Sequence, residues 1–109
     1  MKYTIALLII LLILKYGFGT PGGAAGKVRS ITVKETGYIL ITLEESHSNP
    51  TSCIQDKVIA IAHNHPAKKE ILSLMLAAHT TKKTVTFWVT ACYEYYGTSF
   101  PLAVTGSIT

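Results

Sequence analysis

The chain has 109 residues, with ten Lys and Arg against six Asp and Glu for a net charge of +4, and 49% of it is apolar. That length allows one domain. The positive charge is too small and too scattered for a nucleic-acid footprint, which shows a dense Lys/Arg patch.

Residues 1–19 read as a removable export signal. Lys2 supplies the positive start, and residues 5–14 (IALLIILLIL) form an uncharged apolar run. The run is about half the length that a bilayer-spanning helix needs. Gly17 and Gly19 place small residues at the −3 and −1 positions of a cleavage site. Gly22 and Ala24 offer a second site. Lys15, directly after the apolar run, is atypical, and an uncleaved N-terminal anchor is the other reading. No cysteine lies near the cleavage region to carry a lipid. Loss of Lys2 and Lys15 leaves eight basic against six acidic residues, a mature charge of +2.

Residues 20–26 (TPGGAAG) are small and Gly-rich and predict a flexible lead-in. The domain proper then runs over residues 27–109. Residues 27–34 predict a first strand, with Ile31 and Val33 on one side. Glu35-Thr36-Gly37 is a turn. Residues 38–43 predict a second strand that is apolar on both faces except at Thr42. Residues 44–52 are polar and carry Asn49-Pro50, a loop signal. Residues 58–62 predict a short buried third strand.

A helix starts near His65-Pro66, since proline is tolerated where its missing N–H has no partner anyway. Ile71, Met75 and Ala78 repeat at helical spacing. Leu72, Leu74 and Leu76 widen that stripe, which needs a deep apolar seat such as the open end of a barrel. After the Lys82-Lys83 turn, residues 84–91 alternate as a strand. Val85, Phe87, Val89 and Ala91 share one face, and Trp88 lies on the other with Thr84, Thr86 and Thr90. Residues 93–97 (YEYYG) predict a loop, and residues 102–109 alternate as a last strand. Five short strands with one helix between the third and fourth is the order of a mostly β, OB-fold-like Greek-key barrel. A split α+β sandwich has the same elements.

Cys53 and Cys92 are the only cysteines. Behind an export signal they predict one disulfide. Two free thiols in a reducing compartment are the alternative.

His63-Asn64-His65 has the spacing of two imidazoles that can converge on zinc, and it also suggests an HNH-type nuclease. Neither has a second ligand cluster or a basic groove beside it, so a polar turn ahead of the helix, capped by Asn64 or His65, is the favoured reading. His47 and His79 are isolated, and His79 suits the helix C-terminus. Asp56 is the only Asp, and no motif gathers Ser, His and Asp. No catalytic residue, metal ligand or cofactor is therefore assigned. Tyr93, Tyr95 and Tyr96, with Phe100 close behind, form the densest aromatic group. Tyrosine joins a flat apolar face to a hydroxyl, which suits sugar rings and protein interfaces alike. Trp88, on the non-core face of its strand, joins them as a candidate contact residue. Cover by other parts of the same chain is the competing explanation for all four.

The helix KEILSLMLAAHTTKK, the strand TVTFWVTAC and the closing strand LAVTGSIT, with an export signal and a first cysteine after the second strand, resemble small secreted bacterial OB-fold proteins. These include the B subunits of subtilase-cytotoxin-like and typhoid-toxin-like AB5 toxins. The similarity covers residues 28–108, and its specific part is residues 72–78, Lys83-Thr84-Val85 and Cys92. It implies a homo-oligomer, a ring of five copies, that binds sialylated or other cell-surface glycans and carries an enzymatic A subunit. The chain is shorter than these relatives, and their glycan-contacting residues do not map onto it. The expectation is a secreted or periplasmic, non-enzymatic module that binds a glycan or glycoprotein. The alternative is a stand-alone secreted protein that binds or inhibits a protein target. A metal-dependent enzyme using His63 and His65 ranks third.

Overall fold

The computed structural model describes residues 22–109. The export-signal reading of residues 1–19, and Thr20 and Pro21 of the lead-in, lie outside them. The elements are β1 (Gly22–Val33), β2 (Ile39–Leu43), β3 (Val58–Ile61), α1 (Lys68–Thr81), β4 (Thr84–Tyr95) and β5 (Thr98–Ile108). The strands close into a barrel in the order β1-β2-β3-β5-β4, with β4 returning to β1. All pairings are antiparallel except β3 with β5, which run parallel through Ala60 and Leu102. This is the expected OB-fold-like arrangement, with the helix between the third and fourth strands.

One strand closes the barrel because it serves two neighbours. Gly22 to Lys27 pair with β4, while Val28 to Val33 pair with β2. The register jumps between Val28 and Ser30, so Arg29 is the extra residue of a bulge. A bulge bends a strand and increases its twist, which is what turning from one neighbour to another requires. The glycines before the bulge are therefore strand, not the flexible lead-in that their composition suggests. They are small because other groups pass close. A Cβ on Gly22 would come within 2.8 Å of the Pro50 side chain, and one on Gly26 within 3.2 Å of Leu43.

The barrel interior follows from alternation. Ile39, Ile41 and Leu43 point inward from β2, Ile59 and Ile61 from β3, and Val85, Phe87 and Val89 from β4. Ile71, Met75 and Ala78 of α1 plug this core, as their spacing predicts. Leu76 does not join them and is half exposed. At 100° per residue it lies about 100° from Met75 on the helix, beyond the buried stripe. Gly106 of β5 lets the plug seat closely, since a Cβ there would meet Ile71, Met75 and Phe87 at 3.3–3.5 Å. Among the described residues no helix is long and apolar enough to cross a membrane.

The helix begins three residues later than His65. His65 N–H donates to the Ala62 carbonyl and Lys68 N–H to the His65 carbonyl, so His65-Pro66 form a turn. The ring of His65 ties that turn down. Ala67 N–H donates to its Nδ1 (3.0 Å), and its Nε2 lies 2.7 Å from the Val104 carbonyl. An N–H can only donate and a carbonyl can only accept, so the ring is the Nε2–H tautomer. His79 fastens the other end of α1, with Nδ1 donating to the carbonyl of Val28 at the bulge (3.1 Å). Lys82 then ends the helix in the left-handed region (φ 59°).

The disulfide joins Cys53 to Cys92, with Cα atoms 5.7 Å apart. It ties the long β2–β3 connection to the distal half of β4. The Asn49 side chain both donates to and accepts from the Cys53 backbone. Gln55 N–H donates to the Ser99 carbonyl and Ile54 N–H to Ser99 Oγ, which covers the β5 edge beyond short β3.

Candidate functional site

β4 does not stop at Ala91. It runs on to Tyr95 and forms a hairpin with β5, whose last pair is Tyr95 with Thr98. Two bulged residues, Thr90 on β4 and Val104 on β5, separate the barrel half of this hairpin from its distal half. The distal half builds a second apolar cluster, in which Phe100 packs with Leu40 and Ala60. Leu40 and Ala60 alternate with the inward-facing Ile39, Ile41, Ile59 and Ile61, so this cluster lies on the outer wall of the barrel.

On that wall the aromatic rings form a continuous slab. Tyr38, just ahead of β2, stacks on Tyr93 with centroids 3.8 Å apart and planes 11° apart. Tyr93 also meets Phe100 at 6.2 Å and Tyr95 at 6.0 Å. His63 meets Tyr38 in a tilted contact at 5.2 Å. Tyr96 meets Tyr95 edge to face at 4.5 Å. The Lys34 ammonium sits 5.4 Å from the Tyr95 ring centroid. Each aromatic pair stabilises by about 0.5–1.5 kcal/mol beyond its buried area, and an exposed cation over a ring adds about 0.5–1 kcal/mol.

The expected tyrosine loop is thus a strand and a two-residue turn. Pairing of Tyr93 with Phe100 and of Tyr95 with Thr98 prolongs the ladder, and the β-forming aromatics favour it. Tyr96 and Gly97 both have positive φ, 45° and 80°. That is the type I′ geometry a two-residue hairpin needs, where Asn-Gly is the usual pair. A left-handed tyrosine costs about 1–2 kcal/mol relative to glycine. Tyr96 is also 91% exposed. Neither its backbone nor its burial accounts for a large aromatic residue there.

The four predicted contact residues do not form one site. Tyr93 and Tyr95 are half-buried within the chain's own slab, and Tyr96 stands free at its tip. Trp88 is 48% exposed but lies five residues, about 16 Å at ~3.3 Å per residue, back along β4 from Tyr93. It pairs across the ladder with Gly23 and Thr105, and Val104 beside Thr105 is 44% exposed. Tyr38 and Lys34 belong to the tyrosine surface and were not singled out from the sequence, and His63, singled out there only as a metal candidate, packs against Tyr38. They come from two connections, β1–β2 for Lys34 and Tyr38 and β3–α1 for His63, which meet the distal hairpin only because the barrel closes.

The metal reading of His63 and His65 meets a different geometry. Both nitrogens of His65 are engaged by backbone groups, and His63 packs on Tyr38. No group of three or more His, Cys, Asp or Glu among the described residues is arranged to hold a metal ion. His47 donates from Nδ1 to the Ser48 carbonyl, and its buried Nε2 has no partner among the described residues.

Comparison of the chain with protein-family models, with curated proteins and with solved structures finds no match.

Proposed function

We propose that this protein is an exported binding module that recognises a cell-surface glycan or glycoprotein with the tyrosine surface at the distal β4–β5 hairpin. The observation that carries this reading is Tyr96, a 91% exposed tyrosine held at φ 45°. The backbone strain acts against stability and so exposed a ring buries little to offset it, and such outliers collect at binding sites. Sugar rings present C–H faces that stack on tyrosine, while its hydroxyl meets their hydroxyl groups. Tyr95 meets the Tyr96 ring edge to face, and Lys34 places a cation over the Tyr95 ring. The disulfide Cys53–Cys92 fixes the base of the hairpin, in keeping with a secreted or periplasmic location.

The likeness to AB5 toxin B subunits adds a ring of copies and an enzymatic A subunit to this proposal. A glycan array tests the binding. The wild-type protein is expected to retain defined glycans, and Tyr96→Ala to lose them. Equal retention by Tyr96→Ala refutes the assignment. Native mass spectrometry that finds only monomer removes the ring.

A protein target is the second reading, favoured by Trp88 and Val104. Both are exposed apolar side chains away from the tyrosine surface, and Trp88 is the kind of aromatic anchor typical of protein interfaces. Pull-down from culture medium with the wild type and with Trp88→Ala distinguishes the two readings. A partner lost only on Trp88→Ala favours the protein contact.

A further inference from the structure

We propose that a second copy of this chain docks on the outer face of β1, β4 and β5, each Trp88 seating over Gly23 and Ala25 of the other copy. This rests on the reading of Trp88 as a protein contact and is independent of the glycan proposal. The strand ladder defines the face. Trp88 lies opposite Gly23 on β1 and Thr105 on β5, and Thr86 lies opposite Ala25 and Ser107. Directly opposed residues share a face. It is the face away from the core, since Phe87 between Thr86 and Trp88 is fully buried. No charged side chain falls in residues 22–26, 84–90 or 104–108.

Gly23 decides the choice of occupant. The other described glycines each have a reason within the chain. A Cβ on Gly22, Gly26 or Gly106 would come within 2.8, 3.2 or 3.3 Å of a neighbouring side chain, and Gly37 and Gly97 have positive φ. Gly23 has neither reason. A Cβ there would meet nothing closer than the Phe87 carbonyl at 3.8 Å. Glycine weakens a strand through its backbone freedom, and inside a strand it often marks where another backbone comes close. Beside this low floor stands the half-exposed indole of Trp88. A knob next to a hollow is complementary to itself across a two-fold axis, as an isologous contact requires. A charge-free face also meets its own copy without like-charge repulsion. A foreign partner would require neither property. Three strands about 4.8 Å apart, read over residues 84–90 at about 3.3 Å each, give a footprint of roughly 330 Å². That is under half of the ~800 Å² per partner in a standard interface, so the dimer is weak and reversible.

Trp88 is the only tryptophan, so its emission reports on this face alone. The test raises the concentration of the purified protein from ~1 μM to ~1 mM, which brackets weak association. The Trp88 emission maximum should move to the blue as sedimentation shifts from monomer to dimer. Gly23→Thr has room within the chain, so its Tm should not fall, while its dimer should weaken by at least about tenfold. A variant that dimerises as well as the wild type overturns the seat of Trp88. The wild-type series by itself decides the dimer. A protein that stays monomeric to ~1 mM overturns the proposal. If that monomer still captures another protein that Trp88→Ala loses, the protein-contact reading stands with a different partner. If it captures none, that reading falls as well. A ring of copies with unmoved Trp88 emission also overturns the proposal.

Discussion

Removing the disulfide with Cys53→Ala and Cys92→Ala together should lower stability by about 4 kcal/mol. The cross-link closes a loop with a sequence separation of 39. On the chain-entropy relation, that loop costs the unfolded chain about 13 cal/mol/K, or ~4 kcal/mol at 25 °C. The folded state should change much less. Ile54 and Gln55 still bond to Ser99 and Thr98, and Asn49 still holds the residue-53 backbone. Small domains have about 5–15 kcal/mol in total, so the variant should fold but sit near its limit. Thermal unfolding by circular dichroism should show Tm lower by roughly 16–32 °C, at about 4–8 °C per kcal/mol. The urea m-value should rise, because the freed unfolded chain exposes more surface. A Tm loss below ~5 °C with an unchanged m-value would refute the unfolded-state explanation.

The remaining predictions concern the plug, the turn and the hairpin. Met75→Ala, at a fully buried core position, should cost about 2–5 kcal/mol by denaturant titration, whereas Leu76→Ser on the half-exposed side should stay within about 0.5 kcal/mol. Equal effects would mean the helix seats differently. His65→Ala should cost about 1–2 kcal/mol through loss of the bonds to Ala67 and Val104, and hydrogen exchange should quicken at the first turn of α1. Unchanged exchange there would leave the imidazole without a structural role. Tyr96→Asn should match or exceed wild-type stability by up to about 1 kcal/mol, since asparagine tolerates the left-handed turn position, while glycan retention falls. A large loss of stability would show that Tyr96 serves the fold.

The strand order was legible because alternation and helical spacing are local. Val85, Phe87 and Val89 had to share one face, and Ile71, Met75 and Ala78 one stripe, whatever they packed against. The disulfide was legible for a similar reason, since two cysteines leave a single pairing within the chain. Composition misled where small residues serve tertiary contact. Gly22 to Gly26 resemble a linker until Pro50 and Leu43 are seen against them. The tyrosine run resembles a loop because glycine follows it, yet its pairing with β5 makes it strand.

The candidate site divides along the same line. The sequence by itself determined that Trp88 lies off the core face and that aromatics crowd behind Cys92. Only the closed barrel decided what each of them touches. It stacked Tyr38 on Tyr93, brought Lys34 over Tyr95, left Tyr96 exposed and set Trp88 apart. Facing direction follows from the period of one strand. Contact between residues 38 and 93 depends on how two distant strands are brought together, and the bulge at Arg29 and the meeting of five strands around one plug supply that.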